Sequence, residues 1–69
     1  MKRDRFLSRL RRYGRKNDLA ITVDLRKGKG SHAIVRIGGR KTTVKSGELK
    51  PGYVALLLKQ LGLPPDALD

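Results

Sequence analysis

The chain has 69 residues, 38% of them apolar, no Cys, and a formal charge of +11. That is material for one small core, against ~150 residues for a typical domain, and it excludes disulfides and thiolate metal sites, as suits a reducing compartment. The longest apolar run, Val54 to Leu58, is far short of the ~20 residues that span a bilayer, and a charged N-terminus with no apolar stretch behind it is not a signal peptide.

Residues 3–13 read as a helix. Phe6, Leu7, Leu10 and Tyr13 share one apolar face, and Gly14 suits a C-terminal cap. Arg5, Arg9, Arg12 and, if the last turn persists, Lys16 form a neighbouring stripe at spacings of 4, 3 and 4. Residues 19–26 alternate: Leu19, Ile21, Val23 and Leu25 face one way, Ala20, Thr22, Asp24 and Arg26 the other. That is the pattern of a half-buried strand. Residues 27–31 form a turn. Residues 32–37 make a second strand and 40–45 a third, joined by Gly38-Gly39, a two-residue hairpin signal. Pro51 opens the last helix, with Tyr53, Val54, Leu57, Leu58 and Leu61 on its apolar face. Gly62 and Pro64 end it, and the tail 65–69 is expected to fray. The whole is a single α+β domain of order αβββα: a three-stranded antiparallel meander with both helices on one face.

Charge is uneven. Residues 1–47 hold 15 basic and 3 acidic side chains, and residues 48–69 hold 2 and 3. A one-sided positive field fits a polyanionic partner. A membrane surface is the weakest of these, because the basic first helix has no Trp and its apolar face is needed for the core. RNA is then expected to lie across the sheet and the Arg5, Arg9 and Arg12 stripe.

Hairpin register follows from the apolar pattern, since a slip of one residue exchanges the two faces. A five-residue first turn pairs Arg26 with His32, Leu25 with Ala33, Val23 with Val35 and Ile21 with Ile37, which collects every apolar residue on one side. The second turn then pairs Arg36 with Lys41, Ile34 with Thr43 and His32 with Lys45. The polar face therefore presents the chain's one histidine between Arg26 and Lys45, with Arg36 and Lys41 further along. Cross-strand side chains ~5 Å apart can meet on one phosphate. An imidazole that takes a 2′-hydroxyl proton, with cations to hold the charged phosphorane, suffices for RNA cleavage without a metal. Lys27, Lys29 and the backbone around Gly28, Gly30 and Ser31 are candidates to grip an adjacent phosphate.

Other constellations are weak. Ser31 and His32 point to opposite strand faces and cannot act as a nucleophile pair. Gly28-Lys29-Gly30 is too short for a P-loop. One histidine without clustered carboxylates does not make a metal site, and no small-molecule cofactor is expected. Phe6, Tyr13 and Tyr53 are assigned to the core, so the aromatic platform of an RNA-recognition sheet is absent.

The segments Gly28-Lys29-Gly30-Ser31-His32, Gly39-Arg40-Lys41-Thr42-Thr43-Val44, Leu49-Lys50-Pro51-Gly52 and Leu57-Leu58-Lys59-Gln60-Leu61-Gly62-Leu63 together resemble a HicA-type toxin, in order and spacing, from the first helix to Leu63. The resemblance implies a double-stranded-RNA-binding-like fold and a ribosome-independent mRNA endonuclease (an mRNA interferase) of a type II toxin–antitoxin pair, in the bacterial or archaeal cytoplasm. It implies a HicB-type antitoxin from the same operon as partner, mRNA as substrate, and a catalytic histidine that here is His32. Many relatives carry a second histidine, or an Asn-His pair, at this point, where this chain has Ala33. The alternative is a non-catalytic RNA-binding or antitoxin-binding module. An ordinary double-stranded-RNA reader would place a Lys cluster at the start of the last helix, where this chain offers Lys50.

Overall fold

In the computed structural model, residues 1–25 and 32–68 are described. Helix α1 (Arg3–Lys16) is followed by β1 (Ile21–Leu25), β2 (Ala33–Ile37), β3 (Arg40–Val44) and α2 (Pro51–Gln60). The strands form one antiparallel sheet in the order β1-β2-β3. The αβββα meander expected from the sequence is therefore present, with strands one or two residues shorter at their ends.

The register is the one that the apolar pattern demands. Ile21 pairs with Ile37, Val23 with Val35 and Leu25 with Ala33. Across the Gly38-Gly39 turn, Arg36 pairs with Lys41 and Ile34 with Thr43. Gly38 takes φ 59° while Gly39 does not go positive, the arrangement of a type II′ rather than a type I′ turn. The pairing expected between Arg26 and His32 lies outside the described residues.

Both helices pack on the face that carries Ala33, Val35, Ile37 and Val44. Phe6, Leu7 and Leu10 of α1 and Leu57, Leu58 and Leu61 from α2 and its C-terminal cap close over these residues in one core. Phe6, Leu10, Val35 and Val44 are fully buried, and each such side chain contributes about 1.5–3 kcal/mol relative to exposure. Thr42 faces inward too, and its hydroxyl is hydrogen-bonded to the side-chain oxygen of Gln60. A buried hydroxyl needs such a partner, because leaving it unpaired costs about 1–3 kcal/mol.

The N-terminus is clamped to the β3–α2 connection. Lys2 bridges to Glu48, and the Leu49 N–H donates to the Met1 carbonyl at 2.7 Å. The terminal ammonium is paired with Glu48, and that hydrogen bond, followed by the ammonium charge, holds the Glu48 carboxyl below the usual range.

Three local expectations are corrected. Gly14 is not a cap: α1 continues to Lys16, and Gly14 is buried where a Cβ would sit 2.7 Å from Ile21 Cδ1 and 3.0 Å from the Leu19 carbonyl oxygen. Glycine is there for close approach of α1 to the incoming β1. The reversal is made later, by Asp18 at φ 55°, with the Leu19 N–H reaching back to the Gly14 carbonyl at 2.8 Å. The same six-to-one closure ends α2, where Gly62 takes φ 74° and the Leu63 N–H donates to the Leu58 carbonyl at 2.9 Å. Leu19, placed in the first strand by alternation, therefore belongs to the α1 reversal, and β1 starts two residues later. Lastly, the tail expected to fray from residue 65 is placed against the core as far as Leu68. Residues 64–68 turn back, the Ala67 N–H bonds to the Pro64 carbonyl, and Ala67 and Leu68 pack against the core.

The two helix ends predict opposite responses. Asp18→Gly should raise stability by about 0.5–1 kcal/mol, because it removes a side chain from a left-handed position. Gly62→Ala should lower it by about 1–2 kcal/mol, because the new Cβ meets both the dihedral penalty and the Arg40 side chain 2.9 Å away. Urea denaturation of the two variants checks this, and two shifts of the same sign would contradict it.

Candidate nucleic-acid interface

With the helices on one face, the other face of the sheet meets water. Along β2 that face runs His32, Ile34, Arg36, since alternate residues share a side. Along β3 it runs Thr43 and Lys41, and along β1 Asp24 and Thr22. His32, Arg36, Lys41 and Thr43 are exposed, and Ile34 is half-buried at the centre. His32 and Lys45 follow directly on the last ladder pair, Ala33 with Val44. The imidazole therefore stands at the corner of the sheet where β2 begins and β3 ends. Ala33 is fully buried among core residues, so position 32, not 33, is the one whose side chain reaches solvent.

The corner holds a residue that the sequence pattern assigns to the core. Tyr53, in the first turn of α2, donates its hydroxyl to the Thr43 carbonyl at 3.2 Å and accepts from the Lys45 N–H at 3.4 Å. Its ring lies 5.0 Å under the Lys45 ammonium. Tyr53 thus caps the outer edge of β3 and parks the lysine. The signal in the sequence is that a tyrosine, unlike a leucine, brings a hydroxyl that must find a partner when its ring is half-buried.

The expected cations fall into separate groups. Lys45 is next to His32 by register, but its charge rests on the Tyr53 ring. Arg36 is four residues along the strand from His32, about 13 Å at 3.3 Å per residue. With Lys41 directly opposite, it makes a second cationic point rather than a partner of the imidazole. Arg26, Lys27, Lys29 and Ser31 lie outside the described residues.

Arg5, Arg9 and Arg12 are on the other side of the molecule. The core-facing side of α1 holds Phe6 and Leu10, so its charged side turns away from the sheet. Arg9, Arg12 and Lys16 line a cleft of about 530 Å³ closed by Asp66 and Leu68 of the tail, and Arg9 donates to the Leu68 carbonyl at 3.4 Å. One flat nucleic-acid path does not cross both the sheet face and this stripe.

Among the described residues, no group of three His, Cys, Asp or Glu side chains gathers as metal ligands do, and no helix is long and apolar enough to cross a membrane. No protein-family model matches the chain, and no curated protein or solved structure gives a significant match.

The Tyr53 cap can be tested by exchange. Tyr53→Phe should speed hydrogen exchange of the Lys45 amide about fivefold, the equivalent of about 1 kcal/mol for one hydrogen bond, with little change elsewhere in the sheet. An unchanged rate would show that the hydroxyl does not protect this edge.

Proposed function

We propose that this chain is a metal-independent, ribosome-independent mRNA endonuclease of the HicA toxin type, with His32 as general base and acid. One observation carries the reading: the register that buries Ala33, Val35 and Ile37 turns the chain's one imidazole out to solvent at a cationic sheet corner. The order of residues around it supports the same reading through the resemblance to HicA-type toxins.

In the proposed reaction a neutral His32 removes the 2′-hydroxyl proton of the nucleotide at the scissile bond. The 2′-oxygen attacks phosphorus, the 5′-oxygen leaves, and a proton returned by the imidazolium neutralises it. The phosphorane carries extra negative charge that needs a nearby cation. Lys45 is the described cation nearest in register. Its position over a tyrosine ring at the surface is worth about 0.5–1 kcal/mol, while a charge-assisted hydrogen bond to phosphate is worth about 1.5–3 kcal/mol. The ammonium therefore leaves the ring for the phosphate when RNA binds. Arg36 and Lys41 hold a neighbouring phosphate and fix the strand. A HicB-type antitoxin, acidic where it meets this face, inhibits by covering His32.

His32→Ala should abolish cleavage of purified RNA while leaving the fold and RNA affinity nearly unchanged, because the side chain is on the solvent face. Cleavage by His32→Ala at the wild-type rate would mean that another group does the chemistry, and no cleavage by the wild-type protein would mean that the chain is a binding module. Lys45→Ala should lower kcat on the order of 100-fold, as loss of one transition-state donor does. Arg36→Ala with Lys41→Ala should instead raise KM and flatten the log–log salt dependence by about 0.7 for each phosphate no longer neutralised. Equal effects of the two sets on kcat would contradict the division of labour.

Attack by the 2′-oxygen also fixes the products. Wild-type protein in EDTA should leave 2′,3′-cyclic or 3′ phosphate ends, and a single 2′-deoxy nucleotide at the scissile position should stop the reaction. Fragments with 3′-hydroxyl ends would show that water is the nucleophile.

A further inference from the structure

The two edges of the sheet are treated differently. At β3 the edge is capped: Thr43 and Lys45 turn their backbone groups to Tyr53. At β1 the edge has no such cover among the described residues, and β2 is its one neighbour in the sheet. Backbone direction alternates along antiparallel strands. With Thr43 facing outward, Val44 and Ala33 face each other, Ile34 and Arg36 turn to β1, and the N–H and C=O groups of Ile21, Val23 and Leu25 point to the open side.

Of the devices by which edge strands avoid pairing, this edge carries one charge, Asp24, whose backbone groups turn to Ile34 of β2. The edge has no proline, lysine or glycine between Ile21 and Leu25. Its inner-face residues are incompletely covered: Ile21 and Val23 are half-buried and Leu25 is 55% exposed, whereas Ala33 and Val35 beside them in β2 are fully buried. Next to Leu25 a groove of about 340 Å³ runs between the strand and α1, with Leu7 on its floor, Arg11 and Arg15 on its rim, and Asp4 as the one acidic lining residue. An open backbone ladder, an apolar row and a cationic rim lie side by side.

We infer that the β1 edge is a docking site for an extended segment of a partner protein, which adds a fourth strand and places an apolar side chain on Leu25 and Leu7 and carboxylates on Arg11 and Arg15. This goes beyond the proposed cleavage of RNA and does not depend on it. A second copy of the chain is the wrong occupant, because it brings another +11 and its own Arg11 and Arg15 to the same rim. Nucleic acid is also the wrong occupant, because the backbone ladder offers carbonyl oxygens as well as N–H groups, and phosphates accept but do not donate. Leu25 pairs with Ala33, the residue after His32, so a strand docked here ends two strand spacings, about 10 Å, from the imidazole.

The probe is a capped peptide Thr-Glu-Thr-Val-Thr-Glu-Thr, which presents Glu, Val and Glu on one strand face in either direction. It is titrated by NMR into His32→Ala protein, so that any cleavage activity is irrelevant to the result. Saturable shifts at the Ile21, Val23 and Leu25 amides are expected, at least tenfold weaker for Leu25→Lys and for Arg11→Glu with Arg15→Glu. A Val23→Pro variant, which removes an outward N–H and no ladder donor, should lose them as well. Leu25 is exposed, so the Leu25→Lys protein remains an informative folded control if Val23→Pro unfolds. Shifts confined to α1, equal binding of the peptide with Lys in place of both Glu, or the same amides moving on concentrating the protein alone or on adding a single-stranded oligonucleotide would each overturn the inference.

Discussion

The pairing of β1 with β2 is what the rest of the molecule depends on. Strand side chains alternate, so a slip of one residue would push Ala33, Val35 and Ile37 into water and bring Ile34 and Arg36 under the helices. Burying the Arg36 charge without a partner would cost several kcal/mol, and Phe6, Leu10 and Leu57 would lose their apolar floor. The register is therefore held by the core, and the core in turn decides what the solvent face displays. His32 reaches solvent because its neighbour Ala33 is required inside. The proposed chemistry sits one residue before β2, the strand whose Ala33, Val35 and Ile37 line the core.

The two-layer arrangement has a second consequence. A sheet covered on one face by two helices has two distinct outer surfaces: the bare sheet and the outer side of the helices. The basic residues divide between them. Arg36 and Lys41 belong to the sheet, and Arg9, Arg12 and Lys16 to the helix side, beside the tail. Both surfaces attract polyanions at long range, but at 0.15 M salt the field fades over about 8 Å. Charges on the far side of a body whose shortest extent is 18 Å add little to binding at His32. Under the proposed function the helix stripe would steer and concentrate RNA, and the sheet corner would hold it for reaction.

Much of this is legible in the sequence for definite physical reasons. Period-two alternation through Ile21, Val23 and Leu25, answered by Ala33, Val35 and Ile37, admits one register that keeps one face dry, and that register is the one formed. Helical periodicity likewise defines the faces of α1 and α2. Periodicity describes a residue's angle about its own helix axis, however, and not which side of the molecule that angle meets. That is why the pattern sets the Arg5, Arg9 and Arg12 stripe beside the sheet face while the fold puts it behind. Gly14 reads as a helix end because glycine often is one, but here the close approach of Ile21 demands it. Tyr53 reads as core because its ring fits the apolar stripe of α2, while its hydroxyl is used at the β3 edge. The tail reads as frayed because its prolines and Asp66 are poor structure formers, yet Ala67 and Leu68 find apolar surface to cover.

Under the proposed function the sheet face, and not the helix stripe, receives the reactive part of the RNA. Chemical-shift mapping of wild-type protein with a short single-stranded RNA carrying a 2′-deoxy nucleotide at the cleavage position tests it directly. The account predicts saturable shifts at His32, Ile34, Arg36, Lys41, Thr43 and Lys45, with those of α1 weaker and removed first by added salt. Saturable shifts at Arg9, Arg12 and Lys16 with an unmoved sheet would contradict it.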